Sequence, residues 1–358
     1  MKNQTITLNK HMELVIERCK SVSSDLRSIV LYGSYGRDEG SWIIQDNGTH
    51  KPYNDYDILL VQNTNIGINN IELIRKRLAE EIGIKWVDIG QITTKGLRKL
   101  RPSIYNYDLK YASKVIHGDN TVLEQIPEIK SAELKFAEGE KLYFTRLYTL
   151  IGSLDERGLD QELAGEASRF FRNQMAKAVL AVVDVLLLAK GAYDASYRKR
   201  VERVAELYRE KEDFLELSHW ALQEKLRPQA PSMKSREVRS MYESVHHHYL
   251  HEMYRALSLR FGKYISGPKD LEFCMKGLPL SLLKRLYWLL KFRDLRMERQ
   301  VSVMLAQSYI AAAWKPDRIN EEPLRKGVAL LRQVDDRLST ELTWDEVRLE
   351  AARLRMEV

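Results

Sequence analysis

The sequence predicts an α+β protein in which a small domain with a β-sheet, residues 1–130, precedes an all-helical domain, residues 131–358. Before residue 130, short apolar runs of strand length alternate with turn residues and with helical segments. After residue 131, glycine and proline become sparse, and long segments rich in Leu, Ala, Glu, Arg and Lys carry apolar residues at helical spacing. A chain of 358 residues is long enough to build two such domains.

Composition favours a folded protein of a reducing compartment. Hydrophobic residues make up 44% of the chain, which is enough for two cores. Cys19 and Cys274 lie far apart without metal-ligand or redox spacing. The start has no signal-peptide core, and the longest apolar run, residues 178–189, is interrupted by Asp184 and is shorter than the ~20 residues of a membrane span. We therefore expect a cytoplasmic protein without a membrane partner.

The first predicted elements are a helix, a strand and a tight turn. Apolar residues recur at helical spacing over residues 8–26 and predict a helix that packs behind the first strand. Residues 28–32, SIVLY, predict that strand, which ends in the turn Gly33-Ser34. A Gly-Ser turn between a strand and a helix offers backbone N–H groups and a hydroxyl to an anion.

Residues 42–45 and 49–53 predict the two arms of a β-hairpin. They are β-prone and are separated by Asp-Asn-Gly at residues 46–48. Asn-Gly is a strong hairpin signal because both residues tolerate the positive φ of a type I′ turn. An irregular surface loop is the alternative, since Pro52 would confine its arm to a sheet edge.

Two carboxylates open the next predicted strand, residues 55–62. Asp55 and Asp57 are one residue apart, so on a strand they project from the same face, roughly 7 Å apart. Carboxylates held so close repel each other and are usually kept ionised by a divalent metal. Together with the Gly-Ser turn, they predict a site for a metal–polyphosphate complex.

A helix over residues 69–81 and a third strand over residues 84–92 follow. The strand reads IKWVDIGQI and places Asp88 among apolar residues. An unpaired carboxylate there would be costly, which indicates a partner. Residues 104–120 then predict a short helix, a small strand and a turn. Lys110 and Lys114 are four apart and would share a face if both were helical.

The second domain is predicted to be a helical bundle. Helical spacing covers six segments, residues 131–155, 160–190, 195–226, 233–262, 279–312 and 321–356. His247 and His251 lie four apart on one helical face, but an ordinary polar helix surface is favoured over a metal site because no carboxylate or cysteine accompanies them. Arg239 and His246 match a loose pattern of helical ribonuclease toxins that pair with small nucleotidyltransferases, which stays a minor alternative.

The turn and the two acidic strands carry a resemblance to a known family. Residues 33–34, Gly-Ser, followed by Asp55-x-Asp57, resemble the signature of the DNA polymerase beta-type nucleotidyltransferase superfamily. Residues 32–39, YGSYGRDE, are similar to the turn of bacterial enzymes that uridylylate or adenylylate nitrogen-regulation proteins. The resemblance spans about residues 10–120. The sequence departs from the family in the spacer, because Ser34 and Asp55 are 21 positions apart.

The resemblance implies a small mixed sheet, a nucleoside triphosphate as substrate, and two Mg²⁺ or Mn²⁺ ions. It implies that Asp55 and Asp57 hold both ions, and that Asp88 is the third ligand and helps to deprotonate the attacking hydroxyl. A strand-end carboxylate that caps a turn is the alternative for Asp88, and Asp25, Asp108 and Asp119 compete with it. The residues implied in nucleotide binding are Gly33, Ser34, Arg37, Lys110, Tyr111 and Lys114. An exposed basic face with a packing tyrosine is the alternative for the last three.

The expected function is transfer of a nucleoside monophosphate to an acceptor hydroxyl, with release of pyrophosphate. The acceptor would be a small molecule, a sugar-containing compound or a protein side chain. Enzymes of the superfamily that extend RNA or make cyclic oligonucleotides are the nearest alternative, and a non-catalytic or toxin–antitoxin-type regulator is another. The 57 basic and 50 acidic residues are spread evenly along the chain, which argues against a long nucleic-acid acceptor.

Overall fold

A computed structural model of the chain describes residues 2–23, 25–45, 47–153, 156–276 and 296–357. The chain forms two compact units. The first comprises Met1–Lys135, Lys190–Leu215 and Leu222–Pro228; the second comprises Phe136–Ala189, Glu216–Ala221 and Gln229–Val358. The protein is mixed α+β with a small mixed sheet, so the predicted fold class is confirmed at that level.

The first unit contains the predicted strands and helices in the predicted order. Its elements up to residue 118 are α1 (Lys2–Lys20), β1 (Leu26–Tyr32), α2 (Gly33–Gly36), β2 (Trp42–Ile44), β3 (His50–Pro52), β4 (Tyr56–Gln62), α3 (Ile68–Ile82), β5 (Val87–Thr93), α4 (Thr94–Leu97), α5 (Ile104–Tyr111) and β6 (Lys114–Gly118). The largest difference is at the first helix, which begins and ends about six residues before the predicted bounds. The strand predicted from residue 84 begins at Val87.

Four strands form one mixed sheet in the order β5-β4-β1-β6. β1 pairs antiparallel with β4 and with β6, whereas β4 and β5 are parallel. The parallel pair is joined through α3, as a parallel connection requires a crossover. This register determines which side chains of β1, β4 and β5 lie next to one another.

The sheet presents two different faces because side chains alternate along each strand. On one face, β1, β4 and β5 contribute Ile29, Ile58 and Ile89 to a core shared with α1 and α3. The other face buries Val30 and Leu59. At the end of β1 and the beginning of β4 and β5, that second face carries polar residues.

The predicted hairpin is present. β2 and β3 pair antiparallel as a separate two-stranded sheet, with Trp42 opposite Pro52. Asp46 lies outside the described residues. In the turn, Gly48 has φ +77°, and the Asn47 side chain accepts a hydrogen bond from the Thr49 N–H at 3.0 Å. The excess length between the Gly-Ser turn and the first carboxylate is therefore a hairpin rather than an irregular loop.

The described part of the second unit is helical. In both units together, the described helices after residue 135 are α6 (Ala137–Ile151), α7 (Glu156–Leu159), α8 (Gly165–Ala189), α9 (Tyr197–Leu207), α10 (Glu212–Leu226), α11 (Ser235–Phe261), α12 (Pro268–Lys276), α13 (Arg296–Ala313), α14 (Glu321–Arg332) and α15 (Trp344–Glu357). Long buried α8 packs against α6 and α11. No described helix is both long and apolar enough to cross a membrane.

Three of the predicted helical segments differ in detail. The segments at residues 195–226 and 321–356 are each two helices rather than one. The prediction over residues 279–312 falls partly on residues 277–295, which lie outside the described residues, and its remainder is α13. The helix α12 was not predicted, because the Gly-Pro pair before it was interpreted only as an interruption.

Besides residues 131–135, two segments after residue 130 belong to the first unit, Lys190–Leu215 and Leu222–Pro228. Lys190–Leu215 contains α9, whose N-terminus is held by the buried Glu39 carboxylate. Glu39 accepts hydrogen bonds from the Tyr197 N–H at 2.7 Å and the Arg198 N–H at 3.1 Å, which satisfy donors that the first helical turn leaves free. The sequence placed this whole segment in the second domain, because a contact between residues about 158 positions apart leaves no local pattern.

Candidate active site

Two of the predicted catalytic carboxylates lie side by side on neighbouring strands. Asp57 on β4 is the direct register partner of Asp88 on β5, and on its other side it is the partner of Tyr32 on β1. Adjacent strands are about 4.8 Å apart, so facing side chains at one register position are close neighbours. Asp55 immediately precedes β4 and is exposed. The three carboxylates therefore lie at the same end of the sheet.

The Gly-Ser turn lies directly on Asp57. Gly33 has φ +66°, a conformation that favours glycine. A Cβ atom at this position would lie 1.9 Å from the Asp57 Oδ2 atom, well inside van der Waals contact. The glycine is thus required both by the turn and by the carboxylate that packs against it.

The surroundings of the Asp57 carboxyl group disfavour its ionised form. Burial raises its pKa to about 7, with further contributions from the Asp55 and Asp88 charges. Lys225 and Arg37 act in the opposite direction. A proton or a bound cation at Asp57 would relieve this electrostatic cost.

The three carboxylates have the chemistry that Mg²⁺ and Mn²⁺ prefer, but they do not converge on one point. Among the described residues, no group of three or more His, Cys, Asp or Glu side chains is arranged to hold a metal ion. The Asp88 carboxylate is 43% exposed and accepts a hydrogen bond from the Arg75 Nη2 atom at 3.2 Å. Arg75 also donates to the Ile89 carbonyl at 2.6 Å. Arg75 therefore already holds one oxygen of the Asp88 carboxylate.

Ser34 follows Gly33 in α2 and is 8% exposed. Its carbonyl accepts a hydrogen bond from the Glu39 N–H at 2.9 Å, which closes the turn. No described residue forms a hydrogen bond with its hydroxyl. Ser34 therefore lies in the turn directly after the glycine that packs against Asp57.

Arg37 is an anchor within the fold. Its side chain is 8% exposed and forms an ion pair with Asp108 at 3.1 Å. It donates to the Ala195 carbonyl at 2.6 Å and, through Nε, to the Gly33 carbonyl at 3.0 Å. Its guanidinium also lies over the Tyr197 ring, 4.9 Å from the centroid. These contacts favour an anchoring role over the phosphate-binding role that the sequence predicts.

Lys110 and Tyr111 contact the segment that follows β6. The Lys110 ammonium donates to the Ile126 carbonyl at 2.7 Å, and the Tyr111 hydroxyl donates to Glu128 at 2.5 Å. These contacts do not involve the Asp57–Asp88 pair. They agree with the alternative of a packing tyrosine, but the Lys110 side chain is only 12% exposed and so is not part of an exposed basic face.

Lys114 is on a strand, so the predicted face shared with Lys110 is wrong. α5 ends at Tyr111, and Lys114 is the first residue of β6, opposite Leu31 of β1. The Lys114 ammonium forms an ion pair with Asp38. The local change from helical to extended backbone separates two lysines whose spacing suggested a common surface.

Two tyrosines next to the carboxylates were not predicted. The rings of Tyr32 and Tyr105 meet edge to face with centroids 5.6 Å apart. Burial raises the pKa of both phenols, and the Asp57 and Asp88 charges raise it further. Tyr32 had a signal in the sequence, since it alternates with Val30 on the acidic face. Tyr105 on α5 had none.

Lys225 is a third residue that sequence analysis missed. It is 6% exposed and belongs to the first unit. Its carbonyl accepts a hydrogen bond from the Ser41 hydroxyl at 2.5 Å, and its ammonium lies 6.0 Å from the centroid of the Tyr197 ring. The lowering of the Asp57 pKa by Lys225 indicates that its positive charge is near the acidic end of the sheet.

The competing carboxylates have structural partners elsewhere. Asp25 accepts a hydrogen bond from the Thr64 N–H at 2.8 Å, and Asp119 binds the Thr121 N–H at 2.9 Å. Both flank the strand ends opposite to Asp57. Asp108 pairs with Arg37 and with Arg200. Register therefore favours Asp88 as the third carboxylate.

The histidine and arginine side chains of the second unit do not form a common site. His246 is buried, with Nε2 2.9 Å from the Ala311 carbonyl, and burial lowers its pKa to about 4. Arg239 instead binds Asp160 at 2.6 Å. The rings of His247 and His251 stack with centroids 6.1 Å apart, without a third metal ligand among the described residues. These contacts weaken the ribonuclease-like alternative.

Compared with models of known protein families and with curated proteins, the chain matches none.

Proposed function

We propose that this chain is a metal-dependent nucleotidyltransferase that moves a nucleoside monophosphate from a triphosphate to an acceptor hydroxyl and releases pyrophosphate. The observation that carries the proposal is the register pair of Asp57 and Asp88, with the Gly33 turn packed on the Asp57 carboxylate. A buried carboxyl with a pKa of about 7 beside two other carboxylates is an unfavourable arrangement for the fold alone. It is suited to binding a cation.

In this proposal Asp55, Asp57 and Asp88 bind the metal ions. Bound Mg²⁺ or Mn²⁺ would lower the pKa of the attacking hydroxyl and neutralise charge on the departing pyrophosphate. Asp55 and Asp57 lie at the beginning of β4, and both are assigned to both ions. Asp88, with its exposed carboxylate, is assigned to the side on which the acceptor enters.

The triphosphate is assigned to the turn after β1. The Gly33 and Ser34 amides and the Ser34 hydroxyl would donate to phosphate oxygens. Arg37 is a positioning residue here, because its Nε atom holds the Gly33 carbonyl at 3.0 Å and thereby orients the turn. Lys225 supplies the nearby positive charge that the sequence sought in Lys110 and Lys114.

The proposal is tested with purified protein, each of the four labelled nucleoside triphosphates and Mg²⁺. Pyrophosphate release and labelling of the protein or of added hydroxyl acceptors are measured. We expect release with the wild type and none with Asp57→Asn, while Asp119→Asn, a change at an exposed turn carboxylate, keeps wild-type activity. Equal release by the wild type and Asp57→Asn would refute the assignment.

The Arg75–Asp88 ion pair favours a second candidate, a non-catalytic regulator that binds a nucleotide without turnover. In that case Arg75 would permanently replace a metal ion as the partner of Asp88. The variant Arg75→Gln separates the two functions. If the protein is an enzyme, Arg75→Gln should be active and should keep or increase Mg²⁺ affinity, because it frees the Asp88 oxygen that Arg75 holds. If the protein is a regulator, the variant should be inactive with every triphosphate.

A further inference from the structure

The surface between β5 and α5 is strongly basic. Residues 89–107 contain four cations and no carboxylate. The four are all exposed, and we call them the basic loop: Lys95, Arg98, Lys99 and Arg101. The even charge of the whole chain conceals this local excess.

The charges of the basic loop are not neutralised within the described part of the chain. None of its four side chains forms an ion pair with a described residue, although Glu124 belongs to the turn that packs against α4. Arg98 donates to the neutral Gln125 side chain at 3.2 Å. By contrast, Lys110 and Lys114 each have a carboxylate partner. The loop is therefore available to an external polyanion.

The basic loop begins at the end of β5 opposite to Asp88 and ends beside the start of α5. Asp88 is near the start of β5 and Lys95 follows its end, so they are separated by about 20 Å at ~3.3 Å per strand residue. At the other end of the loop, the Arg101 carbonyl accepts a hydrogen bond from the Asn106 side chain at 2.8 Å. Asn106 adjoins Tyr105, whose ring contacts Tyr32, the register partner of Asp57. A ligand that follows these cations would span several phosphates.

An exposed aromatic ring marks the end of this path. Tyr105 is 49% exposed and is supported edge to face by Tyr32. Exposed aromatic rings beside basic residues are the usual platform for the bases of single-stranded nucleic acids. A lipid surface or an acidic peptide would use the cations but would have no need of the ring.

We propose that the acceptor is a single-stranded nucleic acid. Its phosphates bind the basic loop, its terminal base stacks on Tyr105, and its terminal hydroxyl faces Asp88. This inference rests on the proposed function for the reaction, but not for the binding. In the reaction, the hydroxyl oxygen forms a bond to the α-phosphorus of the triphosphate, the bond from that phosphorus to pyrophosphate breaks, and the hydroxyl proton passes to the Asp88 carboxylate.

Binding is tested with the full chain and a fluorescent single-stranded RNA of about ten nucleotides, by anisotropy over a range of salt concentrations. Removing three cations with Lys95→Ser, Lys99→Ser and Arg101→Ser should weaken binding at least about tenfold and lower the salt slope by about 2, since each contact contributes ~0.7. Tyr105→Ala should weaken binding about tenfold with the slope unchanged.

The matched control removes three other exposed cations of the first unit, Lys76→Ser, Arg77→Ser and Lys85→Ser, on and after α3. It should keep nearly wild-type affinity. Equal losses in the two triple variants would overturn the proposal, as would equally tight binding of inorganic polyphosphate with no effect of Tyr105→Ala, or binding to anionic phospholipid vesicles alone.

The same variants separate this inference from the proposed function. Asp57→Asn should bind the RNA as the wild type does but fail to extend it. Pyrophosphate release with other acceptors, without RNA binding by the loop, would overturn the inference alone. RNA binding by the loop and Tyr105, without pyrophosphate release from any triphosphate, would support the binding site and overturn the proposed function.

Discussion

Asp57 and Asp88 face each other at one register position of the parallel strands β4 and β5. The fold accepts this pair although burial and the neighbouring acids raise the Asp57 pKa to about 7. Stability alone does not explain the arrangement, since an apolar pair at the same position would avoid the desolvation cost. The pair is therefore better explained by a function than by stability.

Gly33→Ala should damage the site more than its conformation alone requires. Both Gly33 and Gly48 have positive φ, +66° and +77°, but only at Gly33 does a new Cβ meet another group. Gly48→Ala, with open space around it, should cost about 1–2 kcal/mol of unfolding free energy. We expect Gly33→Ala to cost more and to displace Asp57. Urea unfolding of both variants measures the difference, and equal costs would contradict the contact with Asp57.

The raised pKa of Asp57 predicts a loss of stability with increasing pH. The unfolded carboxyl titrates near 3.8 and the folded one at about 7, so its stabilising contribution is complete below pH 4 and is lost as pH rises through 7. Asp57→Asn should remove this dependence, at ~1.4 kcal/mol for each unit of pKa. Mg²⁺ should counteract the loss in the wild type above pH 7. Unfolding curves between pH 4 and 8, with and without Mg²⁺, test both statements.

Arg37→Met should destabilise the first unit rather than selectively weaken triphosphate binding. The variant leaves the mostly buried Asp108 with Arg200 as its remaining arginine partner. We expect a loss of about 2–3 kcal/mol, below the ~3–5 kcal/mol for breaking a buried pair because Arg200 stays in place. Arg198→Met, which removes an arginine that is 56% exposed, should cost less than about 1 kcal/mol. Unchanged stability with strongly reduced triphosphate affinity would restore the phosphate-binding role.

His246 predicts the opposite pH dependence. Its pKa falls from 6.5 to about 4 on folding because the ring is buried, so its stabilising contribution is present above pH 6.5 and is lost as pH falls through 4. His246→Gln should remove this acid sensitivity. His247→Gln, at an exposed neighbouring position, is the control. The unfolding free energies are measured at pH 7, 5.5 and 4.5. If His246→Gln lost stability with falling pH as steeply as the wild type, His246 would not be the source of the acid sensitivity.

Local patterns predicted the elements that form the acidic end of the sheet. The apolar run before Gly33, the hairpin and the strand after Asp55 follow from alternation and turn chemistry, which act within a few residues. The prediction that Asp88 lies next to Asp57 depended only on the family resemblance. Register depends on how separate strands pair, and one sequence does not determine it.

The remaining differences involve contacts distant in sequence. Glu39 and Arg37 form hydrogen bonds with backbone groups of Lys190–Leu215, which belongs to the first unit. Backbone groups are the same at every residue, so these contacts leave no pattern in the sequence. At Lys114, the spacing of four residues from Lys110 suggested a common helical face, but the chain has already changed to the strand β6. Both cases involve contacts that no local sequence pattern indicates.

The most direct test of the central claim is a titration with Mn²⁺, followed by the electron paramagnetic resonance signal of the free ion in the presence of a nucleoside triphosphate. We expect Asp57→Asn and Asp88→Asn each to lose Mn²⁺ affinity by more than about tenfold. A loss of about tenfold is the lower limit for residues that only support a metal ligand, and a ligand itself should cost more. Asp119→Asn should bind as the wild type does. Wild-type Mn²⁺ affinity in Asp57→Asn would contradict the proposal that these carboxylates form a metal site.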